Sequence, residues 1–260
     1  MLDLPFEIID CHIHPPADAS SDLSWYFPVP SPEAFVAKMR ECGISRACGS
    51  VIARVEITSF EPVAALNRTA LAFKEAFPDF YLPAIHIDPR YPEESCREIE
   101  ACHRKGVRWI GELVGYMMGY NEDYYPKGSA PVYDLAQSLG LPVNFHSSDL
   151  PNVDRICKAF PQLNFVLAHP HDRKQEAVER LKLVAAHKNL HLDLSGSGVM
   201  RWGLIRHAID TCGAEKILLG TDAPICNPAM YVQCVLAEPL SDAERTAVLG
   251  GNFKRLTGFA

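Results

Sequence analysis

The alternation of short apolar runs with helix-like stretches is the feature that most constrains the fold of this chain. Eight runs have the length and composition of buried strands: residues 7–10, 46–51, 81–86, 107–112, 142–146, 164–169, 190–195 and 216–222. Between them, apolar residues repeat at helical spacing over residues 32–42, 62–77, 93–105, 132–139, 153–160 and 173–187. Such alternation is typical of parallel strands joined by crossover helices.

The number of these units favours a closed barrel over an open sheet. Eight strands follow one another without a charge run or a linker between them. The chain has 260 residues, a length in the range of single α/β barrels. We therefore predict an α/β fold, a (β/α)8 TIM barrel forming one domain over residues 1–260, in preference to a doubly wound sheet.

Composition and charge limit the classes of partner expected for this chain. The net charge is −7, from 25 basic and 32 acidic residues, which argues against nucleic acid or an anionic membrane as partner. No apolar stretch approaches the roughly 20 residues of a membrane span, and the amino terminus shows no secretory signal. Nine cysteines without a CxxC pair indicate reduced thiols and a cytoplasmic protein. We expect a small-molecule substrate, and a homo-oligomer is left open.

A pair of histidines stands at the end of the first strand-like run. His12 and His14 are separated by one residue, so on a strand both side chains point to the same face. Two imidazoles at a strand tip can bind one metal ion. The alternative for an isolated pair is one histidine in a polar turn and another capping the strand.

Further ligand-type residues end later strands of the pattern. Glu112 ends the fourth run, His146 the fifth, His169 the sixth and Asp222 the eighth. The carboxyl ends of the strands form the active-site face of a barrel of this type, so these side chains meet at one mouth. The whole set therefore predicts a metal site. Asp10, just before the histidine pair, fits a strand cap as well as a contact to a ligand.

Four motifs lie at these strand ends: Ile9-Asp10-Cys11-His12-Ile13-His14-Pro15, Asn144-Phe145-His146, Leu167-Ala168-His169-Pro170 and Leu219-Gly220-Thr221-Asp222-Ala223-Pro224. Together they resemble the amidohydrolase superfamily of metal-dependent hydrolases, and more narrowly its amidohydrolase-2 branch. Residues 251–256 also resemble the closing helix of that branch, so the resemblance covers essentially the whole chain. The branch includes lactonases, other C–O and C–N hydrolases, hydratases and non-oxidative decarboxylases, which leaves the substrate open.

The resemblance also implies roles for individual residues. It assigns ligands or near-ligands of the metal to His12, His14, His146 and Asp222. It makes His169 either a further ligand or an acid–base residue.

Glu112 leaves the number of ions open. Many members of the superfamily carry a carboxylated lysine at the end of strand 4, whereas this chain has a glutamate there. Residues 110–112 resemble the TatD-like deoxyribonucleases, in which a glutamate bridges two ions. We favour a bridging ligand, and the alternative is a carboxylate that orients a histidine beside one ion. The two-ion sets are His12, His14 and Asp222 on one ion and His146 and His169 on the other; the one-ion set is His12, His14, His146 and Asp222.

The ligand types indicate which metal and which chemistry. Imidazole and carboxylate favour Zn²⁺, with Mn²⁺, Fe²⁺ or Co²⁺ as alternatives, one or two per chain. Such an ion lowers the pKa of water to about 7. We predict that Asp222 orients this water, accepts its proton and passes it to the leaving group. The substrate carbonyl is polarised by the ion, or by His169 if that residue is not a ligand.

The loops after the strands are expected to carry specificity. The longest, residues 113–125, holds four tyrosines and two methionines, and we predict that Tyr116 and Tyr120 wall an apolar or aromatic substrate. Arg54, Arg90 and Arg201 are each predicted to clamp a substrate carboxylate, and an ordinary exposed arginine is the alternative. Trp25 and Tyr26 have the same two interpretations as the loop tyrosines, a substrate wall or a cover of the barrel rim. For His86 and Asp88, at the end of strand 3, capping is favoured over a place in the pocket.

The predicted function is a metal-dependent hydrolase that cleaves a C–O or C–N bond of a small carboxylated or aromatic lactone, ester or amide. A non-oxidative decarboxylase of the same branch is the first alternative. A TatD-like nuclease or phosphoesterase is the second, but the acidic charge balance and the tyrosine-rich loop count against a phosphate-binding mouth. A binding barrel without chemistry is disfavoured, because every expected type of ligand is present.

Overall fold

Eight parallel strands alternate with helices in the computed structural model, which describes residues 5–16, 27, 29, 31–54 and 57–259. The strands are short, as expected for a barrel. They are β1 (Ile8–Ile13), β2 (Ile44–Gly49), β3 (Tyr81–Pro83), β4 (Ile110–Leu113), β5 (Val143–Phe145), β6 (Phe165–Leu167), β7 (Leu190–Asp193) and β8 (Ile217–Leu218).

The strands pair in chain order and close on themselves. β1 to β3 form one parallel sheet, and β4 to β8 form a second. A parallel bridge between Ile85 and Ile110 joins the sheets on one side, and a bridge between Ile13 and Ala223 joins them on the other. The predicted (β/α)8 barrel is therefore confirmed. Its assignment to one domain over residues 1–260 stays a prediction.

The helices are α1 (Pro32–Glu41), α2 (Glu61–Ala76), α3 (Pro92–Arg104), α4 (Ala130–Ser138), α5 (Leu150–Ala159), α6 (Lys174–Ala186), α7 (Leu204–Cys212), α8 (Pro228–Ala237), α9 (Asp242–Thr246) and α10 (Asn252–Thr257). A 3-10 turn (Ala214–Lys216) precedes β8, and a π turn (Ala247–Gly251) precedes α10. All six helices predicted from apolar spacing are present, as is the closing helix. Most of the helices just named begin with a proline in their first turn, where the missing N–H costs nothing.

The helices α7 and α8 were not predicted from the sequence. α7 follows Gly203, whose φ is +82°, and has no side-chain cap to mark its start. α8 carries apolar residues on most of its surface, so its sequence lacks the one-sided periodicity of an amphipathic helix.

The closing helix packs on a cluster of side chains contributed by five strands and by Trp109, which directly precedes β4. Trp109 is fully buried and its ring centroid lies 5.3 Å from that of Phe253 in α10. Ile9, Leu82 and Val166 belong to the same buried cluster. This packing fixes the strands from the side of α10 and leaves their carboxyl ends for the site.

All nine cysteines are free thiols. Among the described residues, no helix combines the length and the apolar character needed to cross a membrane. Trp25 and Tyr26 lie outside the described residues.

Candidate metal centre

The histidine pair of β1 presents two imidazole nitrogens to one point. His12 Nδ1 lies 3.0 Å from Oδ2 of Asp193, and His14 Nδ1 lies 2.9 Å from the carbonyl oxygen of Ser50. Carboxylate and carbonyl oxygens only accept, so each Nδ1 carries the hydrogen and each Nε2 carries a lone pair. The two Nε2 atoms lie 3.3 Å apart in the buried interior. This is the orientation that a ligating histidine needs.

Glu112, at the end of β4, lies among all four histidines. Its Oε2 is 3.2 Å from Nε2 of His12 and 3.4 Å from Nε2 of His14. Its Oε1 is 3.3 Å from Nδ1 of His146 and 3.2 Å from Nε2 of His169. Oε1 is buried and has no hydrogen-bond partner. Each oxygen thus faces a different pair of imidazoles.

Asp222 reaches the histidine pair from the segment after β8. Its Oδ1 lies 3.3 Å from Nε2 of His14 and 3.8 Å from Nε2 of His12. Its backbone N–H donates to the carbonyl oxygen of His12 at 2.8 Å. The residue has a φ of +63°, a conformation that aspartate tolerates better than most residues. The backbone turn therefore aims the carboxylate into the barrel mouth.

His169 depends on a glycine of the neighbouring strand end. Its φ is +67°, and its ring lies against Gly196. A Cβ on Gly196 would lie 2.3 Å from Nδ1 of His169, and Gly196 itself has a φ of +60°. Only glycine fits there, so the sequence after β7 makes room for the imidazole.

These residues fit a divalent metal. Two ligand groups have donor atoms within 4.8 Å of one another, namely His12, His14 and Asp222, and His12, Glu112 and His169. Two imidazole lone pairs that face each other, beside a carboxylate oxygen without a donor, are matched by a cation between them. Nitrogen and oxygen ligands of this kind suit Zn²⁺ and other first-row ions. The structure thus brings all six predicted ligands together, and their individual roles stay predictions.

Burial and the neighbouring histidines have opposite effects on the pKa values of Glu112 and Asp193. Burial raises the pKa of Glu112, but its contacts with His12 and the other histidines leave that pKa well below the ordinary value. Burial likewise raises the pKa of Asp193, but its contacts with His12 leave that pKa below the ordinary value. Burial raises the pKa of Asp10 to about 7, although Thr221 and His12 donate hydrogen bonds to it. Because it accepts from His12 and Thr221, Asp10 ties β1 to the segment after β8, in agreement with the capping alternative.

Asp193, the last residue of β7, and Ser195, just after it, contact the histidines of the centre, and neither was predicted from the sequence. Asp193 accepts from His12 and, at 2.9 Å, from Nδ2 of Asn144. Ser195 Oγ lies 3.0 Å from Nδ1 of His12 and 2.9 Å from Nδ1 of His169. The signal was present, since Asp193 and Ser195 alternate at the carboxyl end of a strand and therefore share a face.

A cavity of about 250 Å³ opens over the centre. Its polar floor is formed by His14, Glu112, His146, His169 and Asp222, and its apolar wall by Ile52, Val114, Met117 and Ile225. Tyr116 lies on its rim, with its ring centroid 5.3 Å from that of His146. The position of Tyr116 agrees with its predicted contact to substrate.

The other predicted substrate residues do not line this cavity. Tyr120 is buried against Tyr124, at 5.6 Å between ring centroids. Arg201 is exposed, donates to the carbonyl oxygen of Asp172 and lines a separate groove. Arg54 is exposed. Burial raises the pKa of the Tyr116 phenol, and the charge of Arg54 opposes this rise. The tyrosine-rich loop therefore contributes one tyrosine to the cavity and uses another as core.

The candidate residues after β3 make structural contacts. Arg90 binds Asp88 with Nη2 to Oδ2 at 2.6 Å and also donates to the carbonyl oxygens of Met118 and Gly119. His86 Nε2 lies 2.8 Å from the carbonyl oxygen of Val51. Both side chains hold loops and are absent from the cavity lining.

Several known proteins share this fold. The 5-carboxyvanillate decarboxylase of Sphingomonas paucimobilis is 18% identical, with a TM-score of 0.71 over 98% of this chain and 100% of that one. A manganese-bound 5-carboxyvanillate decarboxylase mutant of Novosphingobium aromaticivorans is 13% identical, with a TM-score of 0.74 over 98% of each chain. The 2,6-dihydroxybenzoate decarboxylase of Rhizobium is 15% identical, with a TM-score of 0.72 over 97% of this chain and 99% of that one.

Sequence comparison gives a closer assignment than these structures do. No curated protein matches the sequence significantly. The family model for amidohydrolases, Amidohydro_2, matches residues 9–259, which include every residue of the candidate centre. The chain therefore belongs to the amidohydrolase family, as its strand-end motifs predicted.

Proposed function

We propose that this protein is a metal-dependent hydrolase that cleaves a C–O or C–N bond of a small lactone, ester or amide. The observation that carries the proposal is the position of the Glu112 carboxylate. Its Oε1 faces His146 and His169, and its Oε2 faces His12 and His14. A carboxylate placed in this way can bridge two cations. Paired cations of this kind serve the attack of water on an electrophilic centre.

The metal is proposed to be divalent, with Zn²⁺ first and Mn²⁺, Fe²⁺ or Co²⁺ as alternatives. The manganese in one of the similar structures supports a divalent ion. When bound, such ions supply Lewis acidity toward water and toward a substrate carbonyl. His12, His14 and Asp222 are proposed to hold one ion, and His146 and His169 the other, with Glu112 between them.

Asp222 is the proposed proton acceptor. It lines the cavity, is only 7% exposed, and is fixed by its backbone bond to His12. Its carboxylate accepts the proton of the attacking water and returns it to the leaving oxygen or nitrogen. The apolar wall beside it excludes bulk water from this transfer.

The cavity favours a small substrate with one apolar face. Burial raises the pKa of the Tyr116 phenol, so this group remains a neutral hydrogen-bond donor on the rim. The positive charge of Arg54 nearby favours an anionic group, such as a carboxylate, on the same side. The lining of this cavity, within the described part of the chain, includes no Lys or Arg, which argues against a phosphodiester substrate.

Decarboxylation of an aryl carboxylate is the second candidate. The comparisons favour it over hydrolysis, since the similar structures described above are decarboxylases. His12, His14, His146 and Asp222 would then surround a single ion, and Glu112 would orient a histidine ligand without bridging.

A parallel assay separates the two candidates. The protein, loaded with Zn²⁺ or with Mn²⁺, is offered lactones, aryl esters, amides and hydroxylated benzoates, and both the hydrolysis products and CO₂ release are recorded. We expect hydrolysis, and we expect Asp222→Asn to abolish most of it. Release of CO₂ without hydrolysis of any ester, lactone or amide would overturn the first proposal in favour of the second.

A further inference from the structure

The carboxyl end of β7 holds a chain of hydrogen bonds that runs behind two histidines of the centre. Asp193 and Ser195 are both fully buried. Oδ1 of Asp193 accepts from the backbone N–H of Ser195 at 3.0 Å and also makes a close contact with the hydroxyl of Ser195. Oδ2 of Asp193 faces Nδ1 of His12 at 3.0 Å. Ser195 Oγ in turn faces Nδ1 of His169 at 2.9 Å.

The direction of each hydrogen bond follows from the atoms involved. Asn144 Nδ2 and the backbone N–H of Ser195 can only donate, so the Asp193 carboxylate that receives them is an acceptor. The contact between Ser195 Oγ and Asp193 therefore uses the single hydrogen of the hydroxyl. Only lone pairs of Oγ remain for His169.

This leaves one arrangement for the His169 ring. Nδ1 of His169 must carry a hydrogen and donate it to Ser195, because Oγ has no second hydrogen to offer. In the neutral imidazole the lone pair then lies on Nε2, the atom 3.2 Å from Oε1 of Glu112. Ser195 and Asp193 thus orient His169 in the same way that Asp193 orients His12.

We propose that Ser195 is a positioning residue that fixes the Nδ1–H tautomer of His169 and so makes His169 a ligand of the second ion and not a proton donor. The inference rests on the two-ion centre of the proposed function. It decides between the two roles, ligand or acid–base residue, that the sequence left open for His169. It also assigns a purpose to a buried serine that lies outside the recognised motifs.

The first test measures the ring hydrogens directly in the unaltered protein. The protein is labelled with ¹⁵N-histidine, loaded with Zn²⁺, and studied by long-range ¹H–¹⁵N correlation NMR, with His169 assigned by the signals lost in His169→Gln. We expect the hydrogen on Nδ1 of His169 and a metal-bound shift for Nε2. A hydrogen on Nε2 would overturn the proposal.

The second test measures metal affinity after the hydroxyl is removed. Metal-free Ser195→Ala is titrated with Zn²⁺ beside the wild type and Ser129→Ala. Ser129 is a fully buried serine that is not part of the centre and donates to the carbonyl oxygen of Pro126. We expect Ser195→Ala to bind one of its two ions about 10–100-fold more weakly, the usual loss for a partner of a ligand. Ser129→Ala should bind both as the wild type does.

The outcomes separate this inference from the function on which it rests. Wild-type affinity for both ions in Ser195→Ala would overturn the role of Ser195 while leaving the two-ion centre intact. A wild type that binds only one Zn²⁺ would remove the two-ion centre and, with it, the second ion assigned to His169. Neither readout depends on finding the substrate.

Discussion

Nη2 of Arg180 lies 2.6 Å from the carbonyl oxygen of Ser147, the residue that follows His146. The same guanidinium points Nη1 at the carbonyl oxygen of Ala168, just before His169, at 3.4 Å. Arg180 is 5% exposed, and burial lowers its pKa from the ordinary value. A single side chain of α6 thus ties together the strand ends that carry two histidines of the centre.

Replacing this side chain should destabilise the barrel. Arg180→Met keeps much of the aliphatic volume but leaves two carbonyl oxygens without a donor, at about 1–3 kcal/mol each. We expect the free energy of unfolding in urea to fall by about 2–4 kcal/mol. Arg173→Met is the control, because Arg173 lies exposed before the same helix and its loss should cost less than about 0.5 kcal/mol. Equal stability of the two variants would contradict the role of Arg180.

The purified protein should contain a divalent transition metal, at one or two ions per chain. Removal by a chelator should lower the melting temperature, because an ion that binds only the folded state stabilises it by about 2.7 kcal/mol at one hundred times its Kd. Elemental analysis and calorimetry before and after reconstitution check both points. Less than about a tenth of an equivalent after loading with Zn²⁺ or Mn²⁺ would refute a metal site.

Glu112→Gln tests the bridge. The amide keeps the shape of the side chain but offers one oxygen instead of two, so metal content should fall from about two ions toward one, with a heavy loss of turnover. A glutamate that only orients a histidine would cost about 10–100-fold instead. Glu98→Gln serves as the control, since Glu98 accepts from Asn67 away from the centre. Normal metal content and rate in Glu112→Gln would exclude Glu112 from the site.

Asp222→Asn tests proton transfer. The change preserves size and removes basicity, so turnover should fall by about 10²–10⁴-fold, the usual share of general acid–base catalysis. Circular dichroism should show an unchanged fold, and elemental analysis should show retained metal. If the variant keeps more than a tenth of wild-type turnover with its metal bound, a residue other than Asp222 must accept the proton.

His191 should make the protein acid-sensitive. Burial, with the charges of Lys216 and Arg255, lowers its pKa from 6.5 to about 3. In this pH range the unfolded chain therefore binds a proton at His191 that the folded chain does not bind. The free energy of unfolding falls as the pH falls from about 6.5 toward 3, by up to about 4 kcal/mol. His191→Gln should reduce this slope in urea titrations at several pH values. The exposed His207→Gln should not, and equal slopes for both would contradict the assignment.

The sequence was sufficient for the barrel and for the histidines because both depend on local rules. Apolar runs and helical spacing locate strands and helices, and parallel strands bring their ends to one face. His12, Glu112 and Asp222 could therefore be placed together before any distance was known.

Contacts between side chains that are far apart in the sequence could not be predicted in this way. Asp193 meets His12 across 181 positions, and Arg180 looks in the sequence like any charged residue of a surface helix. Tyr120 and Tyr116 stand in one loop with the same chemistry, yet only the folded loop decides which one is buried. The sequence predicts the positions of the strands better than it predicts the conformations of individual side chains.

The seam between β1 and the segment after β8 has a consequence for how the protein is made. Thr221 donates to Asp10 from its backbone at 3.0 Å and from its hydroxyl at 2.5 Å, across 211 positions of the chain. During synthesis the histidines of β1 leave the ribosome long before Asp222, because the strands between them are made in the interval. The nascent chain therefore lacks this carboxylate until β8 has been made, so the proposed set of metal ligands comes together only after the other strands of the barrel exist.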